Sequence, residues 1–558
     1  MLGIVIIWLR NAVRSIRNGW RRLWRLRVDY VQIELSGHLP EFAPAQRWWQ
    51  RRLMPGRESE HLQGLRRKFE QICSDPNTRG VLLRINGLEA GWATLQSLRD
   101  ELALVRRSGK RVVAYVLTPD TAGYYVACAA DEIILPPPAM LLLIGLRSEV
   151  QFLKPALDKV GIEFEVEAVS PYKAAGEQFV RSDMSPENRE QLERLLDARF
   201  NALVGAISAS RELSAEQVRA VIDRAPLGAQ AALEAGLVDA LCYEDELAER
   251  LKVGTEAPII QEWDDAKGAL RLQPLTFQRK MVGVVTVEGT IAMGTSRSLP
   301  VPIPQVGGQQ AGADSVIQAL RQAEQHPRVA AVVLYVNSPG GDAFASDLIW
   351  REVLRLGKKK PVVVAMGDAA ASGGYYIAAP AQSIVAQPGT LTGSIGVVMM
   401  RPIVEGLLER IGVNTVVLSR GAHSGLLSIA HAPNDDERQA LRNLIARSYE
   451  EFKQRVRDGR KLSDEQLEPM AGGRVWMGEE ALQLGLVDQL GGVPEAVLRA
   501  QELAKLPLNR NARLLLLRGK DETLQPLPFS TSEPSTLLSM LERSLRPRVW
   551  AILPFDVV

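Results

Sequence analysis

The chain has 558 residues, too many for one ordinary core, and at roughly 150 residues per domain it implies two to four units. Apolar residues at 46% and charged residues at 24% exclude a disordered protein. A net charge of +2 argues neither for nor against nucleic acid, while three distant cysteines, Cys73, Cys128 and Cys242, lack metal-ligand spacing and speak against a disulfide framework.

The first 27 residues, MLGIVIIWLRNAVRSIRNGWRRLWRLR, carry seven arginines and no acid. Leu2, Ile6, Leu9, Val13, Ile16, Trp20 and Leu23 recur at alternating steps of four and three, which predicts a helix with one apolar face. Arg10, Arg14, Arg17, Arg21 and Arg25 follow beside that face, so the segment suits an anionic membrane surface. An amphipathic helix packed on protein is the alternative. The uninterrupted apolar run, residues 1–9, is well short of the ~20 residues of a membrane span, and no small-residue cleavage site follows it.

Further along, the chain repeats itself. Tyr124 and Tyr125 of TPDTAGYYVACAA precede Tyr375 and Tyr376 of GDAAASGGYYIAA by 251 positions. VLLRING (81–87) matches VVLYVNS (332–338), and AGLVDAL near 238 answers LGLVDQL near 487. A period this long means two homologous domains rather than a solenoid. Each copy alternates β-branched strand, glycine turn and helix, which predicts an α/β fold with a sheet covered by helices. The boundaries read as a basic amphipathic helix over 1–29, an N-terminal repeat over 30–254, a mixed polar linker over 255–280, a C-terminal repeat over 281–500 and a tail over 501–558. Two stretches stay open: the Pro/Gly-rich loop 295–313 lines a substrate groove or is mobile, and the apolar end RVWAILPFDVV packs on the body or touches lipid.

The two copies have lost different things. Copy two has Ser372 between small residues just before a helix-compatible run, where the dipole favours developing negative charge, and copy one has Thr121 there. NSPGGD (337–342) ends a predicted strand with a turn whose backbone N–H groups can face a reacting carbonyl, and copy one has NGLEAG. Copy one alone has Lys173, in SPYKAAGE, opposite Ser424. A hydrolytic serine needs a base, and the five histidines, His38, His61, His326, His423 and His431, have no evident orienting partner. Lysine is the other option, provided burial lowers its usual pKa of about 10.4. One composite site needs each part once, which explains losses that complement each other.

Taken together, NSPGGD, AAASGGYY, LTGSIGV, SPYKAAGE and GRVWMGEEALQLGLVD resemble the signal peptide peptidase A family, bacterial membrane-associated serine proteases with a Ser/Lys dyad, in its long tandem form. The resemblance covers roughly residues 30–495. It implies tandem Clp protease/crotonase-like domains, cleavage of remnant signal peptides, no cofactor and no metal, a place at the bacterial cytoplasmic membrane, and a homo-oligomer, a tetramer by family precedent. It further implies Ser372 as nucleophile, Lys173 as general base, Ser394 as the residue orienting that lysine, and Gly341, with Gly340 beside it, as the oxyanion donor. Where the family has a clear membrane span, this chain has the short arginine-rich segment. Rival readings are an inactive membrane-surface scaffold and a crotonase-like acyl-thioester enzyme, and nothing in the sequence marks a nucleic-acid partner.

Overall fold

The β-branched runs become strands buried on both faces, as parallel sheets require. The computed structural model describes residues 2–23, 27–44, 60–252, 254–276, 278–299, 308–520 and 548–552. Two compact units emerge, Met1–Arg147 with Asp197–Arg279, and Ser148–Leu196 with Lys280–Val558.

In the first unit an all-parallel sheet runs in the order Ala240–Leu241, Glu132–Leu135, Arg111–Thr118, Gly80–Glu89, Tyr30–His38, Ile260–Glu262. The helices Leu62–Cys73 and Trp92–Arg107 supply Leu65, Phe69, Leu98 and Leu102 to the same core as Val31, Ile33, Val81 and Leu83.

The second unit holds the sheet of copy two. Its spine is Leu391–Gly393, Val362–Ala371, Val329–Ser338, Met281–Glu288 and Leu515–Leu517, all parallel. A further sheet has the order Arg297–Leu299, Gly308–Gly312, Thr290–Ala292, Gly340–Asp342, Arg548–Ile552, Val398–Ile403, Glu163–Ala168. The α/β architecture expected from the strand and helix alternation is therefore present in both units.

The units do not follow the repeat boundaries. Residues 148–196 lie in the first repeat yet fold with the second, because Glu163–Ala168 pairs antiparallel with Val398–Ile403 over six residues. Arg401, 1% exposed, meets Glu165 at 2.6 Å across that pairing. Nor is 255–280 a simple linker: it supplies the edge strand Ile260–Glu262 and the short helix Trp263–Ala266, and Ala266 and Leu270 join the first core. The proposed tail begins inside the second unit, since Leu515–Leu517 pairs with Gly283–Val285. Of the loop 295–313, residues 300–307 lie outside the described residues, as do residues 553–558 of the apolar end.

Leu2–Leu23 is one helix, and its polar face is taken up by the first unit itself. The Asn11 amide donates to the Leu275 carbonyl at 2.9 Å and accepts from its N–H at 2.7 Å. Asn18, two turns on, repeats this with Leu272 at 3.0 and 3.1 Å. Arg14 donates to Gln273 O, Arg17 to Lys267 O at 2.6 Å, and buried Arg21 pairs with buried Asp75 at 2.6 Å. Three of the five arginines expected to line a lipid surface are thus directed to protein, and Arg25 lies outside the described residues. The apolar face stays in solvent, with Trp8 70% and Val13 65% exposed. Among the described residues, no helix is long and apolar enough to cross a membrane.

The repeated tyrosines have the same task in each copy. Tyr124 donates to the Leu237 carbonyl at 2.7 Å and Tyr375 to Leu486 at 2.9 Å, pinning the short helix that follows the central strand. Both side chains are fully buried. Tyr124→Phe leaves the Leu237 carbonyl buried without this donor and is expected to lower the stability of the first unit by about 1–3 kcal/mol. Chemical denaturation followed by a probe in that unit measures this, and an unchanged midpoint contradicts it.

Candidate active site

Ser372 stands where the strand Val362–Ala371 gives way to the helix Gly373–Ala378. Its backbone has φ 55° and ψ −115°, and its side chain does not cap the helix. A non-glycine residue at positive φ costs on the order of 1–3 kcal/mol and persists only where its surroundings hold it. Here Ser372 N–H donates to Gly393 O, and Tyr376 N–H donates to Ser372 O, both at 2.8 Å. The turn leaves no room for a side chain at Gly374, whose Cβ would lie 2.8 Å from Ser338 O. In copy one the helix begins one residue earlier: Asp120, φ −80°, caps Thr121–Ala127 by accepting from Gly123 N–H, and Thr121, the counterpart of Ser372, is already helical. A serine exposed to no competing cap therefore coincides with the strained turn.

Lys173 arrives from the strand Glu163–Ala168, through a turn in which its N–H donates to Ser170 O at 3.1 Å. Its Nζ lies 2.6 Å from Ser372 Oγ, 2.9 Å from Ser394 Oγ and 3.0 Å from Ser394 O. Lys173 is 2% exposed and both serines 0%. Burial pushes the lysine well below its ordinary 10.5, and desolvation is the sole cause. An uncharged amine satisfies all three neighbours: it donates two hydrogen bonds, one to Ser394 O, and accepts one from a hydroxyl through its lone pair. The arrangement can therefore draw the proton from Ser372.

Two glycines that sequence reasoning passed over shape this channel. A Cβ on Gly473, φ +83°, would lie 2.8 Å from Lys173 Cβ, and one on Gly396 would lie 3.4 Å from Lys173 Cδ. Arg474, next in the chain, accepts Ser394 N–H on its carbonyl at 2.6 Å and stacks its guanidinium 3.8 Å over the Tyr172 ring. The motifs GRVWMG and LTGSIGV carried these residues, but only the fold assigns them to the lysine. Ser394, φ 50°, is a second strained serine. Its copy-one counterpart, Leu143, is simply core.

The glycine turn lies beside the serine. Gly340 has φ 110°, and Ser338 Oγ accepts its N–H at 3.1 Å. A Cβ on Gly341 would sit 2.0 Å from Ile291 O, so no other residue fits. Asp342 caps the next helix by accepting from Ala345 N–H at 2.8 Å. The strand Arg548–Ile552 lies between this turn and Val398–Ile403, with Gly341 opposite Ala551 and Val398 opposite Trp550. No histidine joins the constellation: His423 is exposed, and His431 meets Glu405 at 3.1 Å. Among the described residues, no acidic or sulfur cluster suits a metal ion.

With this geometry in view, comparisons with known proteins agree in direction. The model of peptidase family S49 matches residues 105–257 and 355–507, and that of Clp protease matches 304–388. The chloroplastic serine protease SPPA of Arabidopsis thaliana is 34% identical over 470 residues, 83% of this chain and 68% of that protein. Protease 4 of Haemophilus influenzae is 32% identical over 528 residues, 90% and 83% of the two chains. Protease 4 of Salmonella typhi is 33% identical over 497 residues, 87% and 76%.

Burial of Lys173 has a thermodynamic signature. The unfolded lysine holds its proton up to about 10.5, whereas the folded one releases it at lower pH. Between the two values the unfolded state binds more protons, so stability rises with pH. Relative to Lys173→Met, the wild type is expected to gain up to about 1.4 kcal/mol per pH unit across that window. Parallel denaturation of both proteins from about pH 8 to about pH 10 checks this, and a constant gap between them refutes it.

Proposed function

The chain belongs to peptidase family S49, in the tandem form of signal peptide peptidase A, and on that premise we propose that it is a serine endopeptidase working through a Ser372/Lys173 dyad on remnant signal peptides and similar peptides. The 2.6 Å approach of a buried, acid-free lysine to a strained serine carries the reading. Uncharged Lys173 takes the Ser372 proton as Oγ bonds to the scissile carbonyl carbon. Ser394 holds the amine in line through its hydroxyl and carbonyl, and the Gly341 N–H stabilises the oxyanion. When the C–N bond breaks, the lysine hands its proton to the departing amine. Water, deprotonated by the same lysine, then hydrolyses the acyl-enzyme. An extended peptide suits the site because the strand edges of Gly340–Asp342 and Val398–Ile403 border it, and the chain's own Arg548–Ile552 supports this by pairing with both.

A fluorophosphonate probe is expected to label the wild type and neither Ser372→Ala nor Lys173→Ala, with peptide hydrolysis falling at least about 1,000-fold in each. Labelling that survives in Ser372→Ala, or a folded wild type that resists the probe, removes the dyad.

We further propose that the helix Leu2–Leu23 lies in a bacterial membrane interface by its exposed apolar face. Trp8, Leu9, Val13, Ile16 and Trp20 form that face, each at least half exposed. Because Arg14, Arg17 and Arg21 are directed to protein, apolar insertion outweighs charge attraction. Trp8→Glu with Ile16→Glu should abolish flotation with anionic vesicles, while moderate salt leaves the wild type bound. Release of the wild type by salt alone would contradict this balance.

A further inference from the structure

The glycine turn carries the N–H proposed to meet the oxyanion, yet two adjacent glycines restrain its direction poorly. Between Gly340 and Gly341 the torsions flanking the shared peptide bond are nearly free of steric limits, so that plane can turn at small cost. Something has to hold it. Gly340 O and Gly341 N–H belong to one rigid trans plane and point in opposite directions. Whatever fixes the carbonyl therefore aims the N–H.

The Ser338 side chain is in place to do this. It is 0% exposed, accepts Gly340 N–H at 3.1 Å and donates to Gly340 O at 3.3 Å. One hydroxyl thus closes on both polar backbone groups of a residue whose φ, 110°, favours glycine. The sheet restrains this turn less. Thr290–Ala292 meets it at Gly341, opposite Ile291, while Gly340 has Ile552 of the strand Arg548–Ile552 as its ladder partner. Ser338 also borders the nucleophile's turn, but through its backbone, since its carbonyl is what bars a side chain at Gly374.

Copy one shows what the hydroxyl replaces. At the 251-residue offset Ser338, Gly340 and Gly341 correspond to Gly87, Glu89 and Ala90. There the strand Gly80–Glu89 continues through this point with Glu89 opposite His38, and Glu89 O accepts Leu39 N–H at 3.0 Å. A backbone donor fills the place that the hydroxyl takes in copy two, and Gly87 has no side chain to offer. We infer that Ser338 is a positioning residue: by gripping Gly340 O it sets the Gly341 N–H toward the substrate carbonyl. This rests on the Ser372/Lys173 reading and adds to it a residue that acts only through its neighbour.

Ser338→Ala keeps the backbone beside Gly374 and removes only the grip. For a peptide substrate, kcat should fall about 10- to 100-fold with KM within about twofold, less than the about 100- to 1,000-fold that loss of a whole oxyanion donor costs. Two ligands separate positioning from general damage. A peptide aldehyde bonds through its carbonyl carbon to Ser372 Oγ, the serine proton passes to Lys173, and the aldehyde oxygen becomes the oxyanion; the matching peptide alcohol binds without bond formation. The aldehyde should weaken by the same factor as kcat/KM, and the alcohol by less than about twofold. The pH profile should keep its wild-type midpoint, because Lys173 is untouched. Ser338→Cys, similar in size but a weaker hydrogen-bonding group, should show the same split at smaller amplitude, and it carries the test where the alanine variant folds poorly. Equal weakening of aldehyde and alcohol, a displaced pH profile, or a kcat within about twofold of wild type overturns the role of Ser338 and leaves the dyad standing. A wild type without Ser372-dependent hydrolysis instead removes the dyad, and the role of Ser338 with it.

Discussion

Six residues of antiparallel pairing, Glu163–Ala168 against Val398–Ile403, decide where Lys173 comes to lie. They detach a segment of the first repeat from its own unit and fix it to the second. Five residues after the strand, the chain presents Lys173 to a serine 199 positions away. The buried Arg401–Glu165 ion pair pins the register. A slip by one residue would turn the strand over and aim the following turn elsewhere.

The site also depends on what is withheld from the lysine. Elsewhere buried cations have carboxylates: Arg66 meets Glu41 and Glu101, and Arg21 meets Asp75. Those carboxylates offset the cost of burying the guanidinium. Lys173 is given only two hydroxyls and a carbonyl, so desolvation goes unopposed and its pKa falls well below the ordinary value. Positive φ at both Ser372 and Ser394 shows that the surroundings, rather than local preference, hold the acceptors in place.

Much of this was legible in the residues. The 251-residue offset exposed the duplication, the complementary losses at Thr121 and Ser424 singled out Ser372 and Lys173, and the family resemblance added Ser394. Small residues around Lys173 predicted room for burial, and the lysine is buried. Long-range pairing was not legible, because repeat boundaries follow ancestry while compact units follow hydrogen bonds. So 148–196 changed sides, and 255–280, polar in composition, became a packed edge. The arginines of the first helix misled for a related reason: helical spacing gives the face a side chain occupies, but not whether carbonyls or lipid will meet it. Gly473 was invisible in its role since its neighbour in space is 300 positions away in sequence.

The strand Arg548–Ile552 bonds on one side to the glycine turn and on the other to Val398–Met400. Backbone donors and acceptors on those two edges can serve one partner at a time. Any foreign peptide seeking both must therefore evict a resident that is tethered to the same molecule and never diffuses away. Measured affinity would then be a difference between guest and resident, and weak, poorly matched guests would be turned aside by competition before any side-chain pocket had a chance to choose among them.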